Sequence, residues 1–369
     1  MENHYNPTEI IFGEKSLERL PEVAKRFKFK KVFLVTGRNS SDSSGLTNKV
    51  ADYIGELQQY KVNPNPTTFD IEQGISIIEK GMPYLFIGLG GGSAIDTAKA
   101  ISVLSKNKGL VANYQDKKLQ IKNRGHPLIA IPTTAGTGSE VTPYSSLMKA
   151  DKTKASIAHN FLYPNVAIID PELTYNSPKE VIACSGMDAL CQAIESFWSR
   201  NNSPFSESHA LKAIKLIYHN IKESFSNENA FEAKRAMSLG SCLAGIAISQ
   251  TKTTAVHAVS YPITGIFNVP HGHACALTLS SFLNYNKCAA PERVSKMAEI
   301  LGYDKVEDAA EGINNLMDYL CLERKLSKLG IDESGIELII KNGFNPDRVS
   351  NNPRKLTEED LRKMLTNLL

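Results

Sequence analysis

The chain has 369 residues, 42% of them hydrophobic and 22% charged, a composition typical of a soluble globular protein. This length suggests two domains of about 150 residues or more each. The net charge of +3 is too small to indicate a nucleic-acid or membrane partner. No apolar run approaches the roughly 20 residues of a membrane span, and the first residues do not resemble a secretory signal. Six scattered cysteines without a Cys-x-x-Cys pair argue against a zinc knuckle or a disulfide framework, so we expect a reduced, cytoplasmic protein.

The first half of the chain, residues 1–176, alternates short apolar runs with amphipathic patterns, which predicts a doubly wound parallel sheet. The predicted strands lie at 31–36, 85–88, 128–131 and 166–170, and the predicted helices between them at 46–59, 71–80 and 94–104.

The second half, residues 177–369, changes to a helical period, and strand-like runs become rare. We therefore predict an all-α domain that begins near residue 177. Its predicted helices lie at 179–196, 206–224, 230–249, 255–259, 274–285, 291–301 and 306–329. Thr357, followed by Asp360, predicts the capped start of a last helix.

Two polar loops follow predicted strands of the first domain. In the first, Gly90-Gly91-Gly92-Ser93 leads into the helix at 94–104, for which Ser93 or a neighbour can act as the N-cap. A strand, a glycine turn and a helix N-terminus form an anion site, although the spacing matches neither a Rossmann nor a Walker pattern. The second loop, Thr133–Glu140, is rich in hydroxyls and glycines that can bind a ribose, an amide or a phosphate. An ordinary turn and a surface loop are the alternatives, and finding both loops in one domain favours a nucleotide.

Four residues of the second half form a plausible set of ligands for a divalent metal. Asp188 and Gln192 are four residues apart and share one face of a helix. His257 and His271 are fourteen residues apart, and His271 lies in a Pro-His-Gly turn. Considered singly, Asp188 could be a helix cap, His257 a satisfied core histidine and His271 a turn residue.

The chain resembles the iron-containing (group III) alcohol dehydrogenases over almost its whole length. The motifs that carry the resemblance occur in the family's order, and they are Gly90-Gly91-Gly92-Ser93-x-x-Asp96-x-x-Lys99, Thr133-Thr134-x-Gly136-Thr137-Gly138-Ser139-Glu140, Asp170-Pro171, Gly186-Met187-Asp188-Ala189 and His257…Pro270-His271-Gly272. The resemblance implies a dehydroquinate synthase-like architecture, a nicotinamide cofactor, and a divalent metal, Fe²⁺ or alternatively Zn²⁺. It further implies a homodimer that reversibly reduces a small aldehyde or ketone to the alcohol.

The same resemblance implies roles for individual residues. The metal ligands it implies are Asp188, Gln192, His257 and His271. The cofactor-binding residues it implies are Gly37, Arg38, Asn65, Gly90, Gly91, Gly92, Ser93, Asp96, Lys99, Thr133, Thr134, Thr137 and Ser139. Within the family, the segments around Gln192, 252–261 and 271–274 are most similar to the phosphonoacetaldehyde reductase subgroup.

Two positions depart from the family pattern. Gln192 stands where a histidine is usual, and an amide oxygen is a weaker and harder ligand than imidazole. It could ligate the metal or orient a bound water. Tyr261 stands where many members have a further histidine that relays protons. Either Tyr261 or His273 could take that role, because both can donate a proton, while an exposed turn residue is the alternative for His273.

Two further features bear on cofactor and substrate. Gly37 occupies the strand-end position where an acidic residue would repel a 2′-phosphate, and Arg38 can pair with that phosphate, so NADPH is favoured over NADH. Arg38 could also be a solvated surface charge. Lys252, beside two threonines, could hold the anionic end of a substrate, and Lys154 is a second candidate; a solvated lysine is the alternative for each.

The leading hypothesis is a metal-dependent, NAD(P)H-linked reductase that converts phosphonoacetaldehyde to 2-hydroxyethylphosphonate. A general short-chain alcohol or diol dehydrogenase, of the butanol or 1,3-propanediol type, is the first alternative. A lyase resembling dehydroquinate synthase is less favoured, because the threonine-glycine and Pro-His-Gly motifs follow the alcohol dehydrogenases. A non-catalytic binding module is least favoured.

Overall fold

A computed structural model describes residues 4–38 and 40–369. The chain forms two compact units. The sheet unit comprises residues 6–134 and 139–174, and the helical unit comprises 175–369 together with residues 4–5 and 135–138. The division near 175 lies beside the boundary predicted at 176, but the two short segments join the helical unit out of chain order. A single domain boundary in the sequence cannot describe these two segments.

The sheet unit contains a six-stranded, fully parallel sheet in the order β1-β8-β5-β4-β2-β3, and a separate antiparallel hairpin, β6-β7. The strands are β1 Glu9–Phe12, β2 Lys31–Gly37, β3 Leu57–Val62, β4 Tyr84–Gly90, β5 Leu128–Pro132, β6 Tyr144–Met148, β7 Lys154–Ala158 and β8 Val166–Ile169. The four predicted strands are confirmed as the four central strands. The two edge strands and the hairpin were not predicted, because their half-exposed residues give no continuous apolar run.

The helices of the sheet unit are α1 Leu20–Ala24, α2 Ser40–Ser43, α3 Leu46–Ile54, α4 Thr68–Ser76, α5 Gly92–Leu104 and α6 Val111–Gln115. The helix predicted at 46–59 was too long, because it ends before Gly55 and its last residues belong to β3. The α4 helix begins at a capping box, in which Thr67 and Asp70 satisfy each other's backbone N–H groups. It therefore starts at Thr68 rather than at 71, and it ends at Ser76 rather than at 80.

Side chains that alternate along the strands pack on opposite faces of the sheet. Phe33 and Phe86 belong to the core on one face, whereas Leu34 and Ile87 belong to the core on the other. All four are fully buried. A parallel sheet covered on both faces is the doubly wound arrangement that the sequence predicted.

The helical unit confirms the predicted all-α domain, since every regular element described in 175–369 is a helix. The helices are α7 Lys179–Trp198, α8 Pro204–Ser226, α9 Phe231–Thr251, α10 Ala255–Phe267, α11 His271–Asn286, α12 Pro291–Ile300, α13 Val306–Tyr319, α14 Glu333–Gly343, α15 Pro346–Val349 and α16 Glu358–Thr366. The capped start at Thr357 is confirmed. The long helix predicted at 306–329 was wrong, because α13 ends at Tyr319 and Cys321 adopts a positive φ of 57°. Across the part of the chain that the structure describes, none of these helices has the length and apolar character needed to cross a membrane.

Candidate metal centre and nucleotide loops

Three of the predicted metal ligands come together inside the helical unit. Asp188 on α7, His257 on α10, and His271 and Cys275 on α11 each present one ligand atom, and these atoms all lie within 4.8 Å of one another. We call these four residues the Asp188 cluster. Asp188 and His257 are 3% exposed, and His271 is half-buried. Carboxylate, imidazole and thiolate groups at this spacing form a donor set of the kind that binds a divalent transition metal.

The glycine of the Pro-His-Gly turn allows α11 to approach α7 closely. A Cβ atom at Gly272 would lie only 1.7 Å from the carbonyl oxygen of Cys184 and 3.0 Å from the Cβ of Asp188. Any larger residue would push the first turn of α11 away from α7. The close contact places His271, the first residue of α11, against Asp188.

Gln192 lies next to the cluster, one helical turn after Asp188. Its Nε2 donates a hydrogen bond to Asp188 Oδ1 at 3.2 Å. Its Oε1 is buried and has no hydrogen-bond partner among the residues that the structure describes. A buried acceptor without a hydrogen-bond partner destabilises the folded protein. A cation or a water bound to this oxygen would remove the destabilisation. The residues present therefore fit a bound metal ion, with Gln192 either as a ligand or as the partner of a metal-bound water.

Glu195, which was not predicted as a site residue, contacts His257 at Nδ1, the ring nitrogen that does not face Asp188. Its Oε2 accepts the Nδ1–H of His257, and its Oε1 accepts the backbone N–H of Thr254 at 2.8 Å and of His257 at 3.2 Å. The carboxylate therefore caps the start of α10 and leaves His257 Nε2 facing Asp188, 3.2 Å from its Oδ1. A carboxylate behind a histidine in this way fixes the ring and makes it a stronger metal ligand.

The charges around His257 favour a cation at this position. Burial opposes the charged imidazolium, yet Cys275, Glu195 and Asp188 together hold the pKa of His257 well above its usual value. Burial raises the pKa of the Cys275 thiol, and the neighbouring His257 opposes that rise. A divalent ion would take over the positive charge and would favour neutral His257 and ionised Cys275 as ligands.

Glu195 and Cys275 could have been found by the spacing that identified Gln192. Glu195 lies seven residues after Asp188, two turns along the same face of α7, and Cys275 lies four residues after His271 on α11. Both were passed over because neither belongs to the motifs that carry the family resemblance.

Tyr261 is close to the cluster, whereas His273 is engaged elsewhere. Tyr261 lies one turn after His257, and its ring centroid is 5.6 Å from that of His271. His273 is buried, and its Nε2 donates to the carbonyl oxygen of Glu323 at 2.6 Å. The alternative that His273 is an exposed turn residue is therefore wrong. Its ring proton holds the chain after α13, which leaves Tyr261 as the better placed of the two candidates for a proton relay.

The two predicted substrate cations occupy different units. Lys252 directly follows α9 and has a positive φ of 62°, and its side chain is exposed. Lys154 is the first residue of β7 in the sheet unit. The cation that contacts Thr253, the residue after Lys252, is instead Arg348, whose Nε donates to Thr253 Oγ1 at 3.1 Å. Nothing in the local sequence around 252 indicates this partner, which lies 95 residues further along the chain.

The carboxyl ends of β2, β4 and β5 meet at one edge of the sheet. A Cβ at Gly90 would lie 3.7 Å from the backbone nitrogen of Gly37, and a Cβ at Gly91 would lie 3.4 Å from Thr134 Oγ1. Thr133 N donates to the carbonyl of Gly90 at 3.0 Å. These predicted cofactor residues therefore form one continuous backbone surface, at the edge where ligands of open parallel sheets bind.

The α5 helix begins two residues earlier than predicted, at Gly92 rather than at 94. Its N-cap is Gly91, without a side-chain cap bond, and Ser93 is already inside the helix. Ser93 Oγ instead accepts the backbone N–H of Asn65 at 3.2 Å, so Ser93 links its loop to the loop that follows β3. The first N–H groups of α5 thus carry no side-chain cap, as an anion site requires.

Asp96 and Lys99, predicted to bind the cofactor, are also held by other protein groups. Lys99 is fully buried, and its Nζ donates to Ser139 Oγ at 2.8 Å, Thr142 Oγ1 at 3.2 Å and the Tyr144 carbonyl at 2.9 Å. It lies 3.7 Å from Asp96 Oδ1, which accepts a hydrogen bond from Ser139. Burial lowers the pKa of Lys99 to about 8, against the opposing charges of Asp96 and Glu140. These contacts fix the loop that begins at Ser139.

The glycines of the second loop pack within the helical unit. A Cβ at Gly136 would lie 2.7 Å from the Cβ of Ser185, and a Cβ at Gly138 would lie 2.5 Å from the Cα of Gly245. Segment 135–138, which includes Thr137, therefore requires glycine for close packing on α7 and α9. Of the remaining cofactor candidates, Gly37 is the last residue of β2 and Arg38 is exposed.

Comparison with known proteins agrees with this architecture and donor set. Residues 7–171 match the iron-containing alcohol dehydrogenase family, and residues 182–369 match the C-terminal part of the same family. The chain is 29% identical to the NAD-dependent methanol dehydrogenase of Bacillus methanolicus over 100% of both chains. It is 30% identical to the NADPH-dependent butanol dehydrogenase of Clostridium saccharobutylicum over 97% of this chain and 95% of the relative.

Among solved structures, the sulfoacetaldehyde reductase of Bifidobacterium kashiwanohense, in complex with NAD⁺, matches with a TM-score of 0.91. It is 33% identical, and the match covers 100% of this chain and 98% of that one. The fold and the matched regions define a nicotinamide-dependent oxidoreductase that acts on alcohols or aldehydes. The chain belongs to the iron-containing alcohol dehydrogenase family.

Proposed function

We propose that this protein is a metal-dependent, NADPH-linked aldehyde reductase, and that phosphonoacetaldehyde, reduced to 2-hydroxyethylphosphonate, is its substrate. The observation that carries the metal-dependent reaction is the buried Asp188 cluster, with His257 oriented by Glu195 and an orphaned amide oxygen on Gln192. We propose Asp188, His257, His271 and Gln192 as the ligands of Fe²⁺. Zn²⁺ is the alternative ion, because the soft thiolate of Cys275 would favour it.

The reaction adds a hydride and a proton to the aldehyde. The nicotinamide cofactor supplies the hydride to the carbonyl carbon, and a divalent metal, when bound, polarises the carbonyl oxygen as a Lewis acid. In this proposal the Tyr261 hydroxyl, one turn from His257 and beside His271, delivers the proton to the alkoxide oxygen. His273 would hold the segment at Glu323 in place.

Three observations support the choice of substrate and cofactor. The segments around 192, 252–261 and 271–274 resemble phosphonoacetaldehyde reductases. The related sulfoacetaldehyde reductase is named for a two-carbon aldehyde that carries a sulfonate group. The strand-end position that would repel a 2′-phosphate is Gly37, and Arg38 beside it is exposed. The methanol and butanol dehydrogenase relatives support the alternative, a general short-chain alcohol or diol dehydrogenase. We also propose that the protein is a cytoplasmic homodimer.

The test is the rate of NADPH and NADH oxidation with phosphonoacetaldehyde, sulfoacetaldehyde, propionaldehyde and 3-hydroxypropionaldehyde, before and after metal removal and reloading with Fe²⁺ or Zn²⁺. We expect metal-dependent turnover, with the highest kcat/KM for phosphonoacetaldehyde and NADPH. A preference for the neutral aldehydes would favour the general alcohol dehydrogenase. Full turnover in metal-free protein would refute the metal-dependent reaction.

A further inference from the structure

One arginine is held beside the Asp188 cluster in a fixed orientation. The guanidinium carbon of Arg348, on α15, lies 4.2 Å from the centroid of the Tyr261 ring. Its Nη2 donates to Tyr261 Oη at 2.5 Å, and its Nε donates to Thr253 Oγ1 at 3.1 Å. These two hydrogen bonds and the aromatic face help to fix the plane of the guanidinium.

The segment that carries Arg348 is anchored to the loop before α10. Asn351, which is buried, donates from Nδ2 to the carbonyl oxygens of Thr251 at 2.7 Å and of Thr253 at 3.1 Å. Its Oδ1 accepts from Ser199 Oγ at 2.8 Å. These bonds tie the residues just after α15 to the end of α7 and to the Thr251–Thr253 segment, and they restrain the helix that carries Arg348.

Tyr261 connects this arginine to the metal ligands. It follows His257 by one turn of α10, and its ring contacts that of His271. The guanidinium consequently lies one aromatic ring away from a proposed metal ligand. A short aldehyde bound between the metal and this arginine would have its carbonyl at the metal and its other end at the guanidinium.

We propose that Arg348 is the residue that selects a substrate with a tetrahedral oxyanion, a phosphonate or a sulfonate, on the carbon next to the aldehyde. This inference rests on the proposed aldehyde reductase activity and extends it. A guanidinium combines a fixed positive charge with several N–H donors that suit the oxygens of such a group, whereas an ammonium offers only a point charge. The exposed Lys252, predicted for this role from the sequence, would contribute at most a second, weaker charge.

The substitution Arg348→Gln tests the inference. We expect it to lower kcat/KM for phosphonoacetaldehyde and sulfoacetaldehyde by roughly tenfold to a hundredfold more than for propionaldehyde, the loss expected for one charged hydrogen-bonded contact. Arg348→Lys keeps the positive charge but not the planar guanidinium. Its kcat/KM for the two anionic aldehydes should lie between the values of the wild type and of Arg348→Gln. The ratio of phosphonate to sulfonate activity in the wild type shows which oxyanion is preferred.

A matched control is available within the same unit. Arg354 stacks on Tyr285 with its guanidinium carbon 4.0 Å from the ring centroid, the same arrangement at a different place. Arg354→Gln should leave the ratio of anionic to neutral aldehyde activity unchanged. If Arg354→Gln and Arg348→Gln lower that ratio equally, or if Arg348→Gln lowers activity on all aldehydes equally, Arg348 has a structural role and the inference is wrong.

A binding measurement separates this inference from the proposed function. Ethylphosphonate and ethanesulfonate carry the oxyanion without the aldehyde, so their dissociation constants can be measured by calorimetry on cofactor-loaded protein. We expect at least one to bind the wild type roughly tenfold or more tightly than Arg348→Gln. Metal-dependent reduction of propionaldehyde without probe binding would overturn only the role of Arg348. Arg348-dependent probe binding by a protein that reduces no aldehyde would overturn the proposed function instead.

Discussion

The two units each bury a polar cluster, and the clusters differ in the source of their positive charge. In the sheet unit, the ammonium of Lys99 lies at the centre, with Ser139, Thr142 and the Tyr144 carbonyl as acceptors and Asp96 as counter-ion. In the helical unit, the Asp188 cluster and its neighbours contain two carboxylates, two imidazoles, a thiol and an amide. Of these groups, only the imidazoles can carry positive charge.

The difference distinguishes a structural cluster from a binding cluster. A buried ion pair whose hydrogen bonds are all made holds a loop in place and needs nothing from solution. Lys99 is held by bonds of this kind, and the cofactor contact that its motif suggested stays a prediction. A buried set rich in acceptors, with Gln192 Oε1 left without a partner, is complete only when a cation enters. Burial alone therefore does not identify a functional site, and the balance of donors and acceptors does.

The largest effect should follow from removing a proposed ligand. Asp188→Ala and His271→Ala should each abolish metal binding, measured by elemental analysis, and lower kcat by on the order of a thousandfold or more, because a Lewis acid contributes several kcal/mol to such reactions. The control His219→Ala changes an exposed histidine of the same unit and should retain both metal and activity. Turnover at the wild-type rate in either ligand variant, with metal shown to be absent, would contradict the proposed metal centre.

Removing the ammonium of the other cluster should reduce stability rather than metal binding. Lys99→Met leaves the carboxylate of Asp96 without its buried counter-ion and should cost about 3–5 kcal/mol in the free energy of unfolding. Denaturant titration measures this change. Lys118→Met, which removes an exposed ion pair with Asp116, should cost less than about 1 kcal/mol. Equal effects of the two substitutions would show that the Lys99 cluster is not the structural element we describe.

A smaller effect is expected from Glu195, which contacts the proposed metal ligand but not the metal. Glu195→Gln should weaken metal affinity by about 10- to 100-fold, the usual loss when the partner of a ligating histidine is changed. Because Glu195 also caps α10, affinity should be measured well below the unfolding temperature of the variant. Glu207→Gln, which changes an exposed carboxylate paired with Lys296, is the control and should leave the affinity unaltered. Unchanged metal affinity in Glu195→Gln would show that Glu195 does not support metal binding.

The sequence predicted those parts of the fold in which periodicity and burial agree. The four central strands are continuous apolar runs because both faces of the sheet are covered. In the second half, five helices were predicted to within a few residues, namely α7, α8, α9, α11 and α12, whereas α14 and α15 were not predicted. The edge strand β3 was taken as the end of a helix because its polar residues alternate weakly. Turn chemistry that depends on a positive φ at a non-glycine residue, as at Cys321, gives no signal in a single sequence.

The candidate site was predicted to a similar extent. Motif spacing brought together Asp188, His257 and His271, and the same spacing applied to neighbouring residues would have added Glu195 and Cys275. Arg348 could not have been found this way, because its contact with Thr253 joins residues 95 positions apart that no local pattern connects. The acceptors of Lys99 could not be predicted either, since they lie 40 to 45 residues away.

The smallest predicted effect concerns the residue in which this chain departs from its family. Gln192→His would replace a neutral amide oxygen by an imidazole nitrogen one turn from Asp188, and should tighten metal binding by about tenfold. The measurement is the rate of metal loss to a competing chelator. Cys275→Ser in the same assay shows whether the thiol is a ligand. If Cys275→Ser loses metal faster and Gln192→His changes little, Cys275 is the fourth ligand and Gln192 orients a water. If Gln192→His loses metal faster than the wild type, the site is shaped around the amide, and the substitution that distinguishes this chain from its relatives is a functional one.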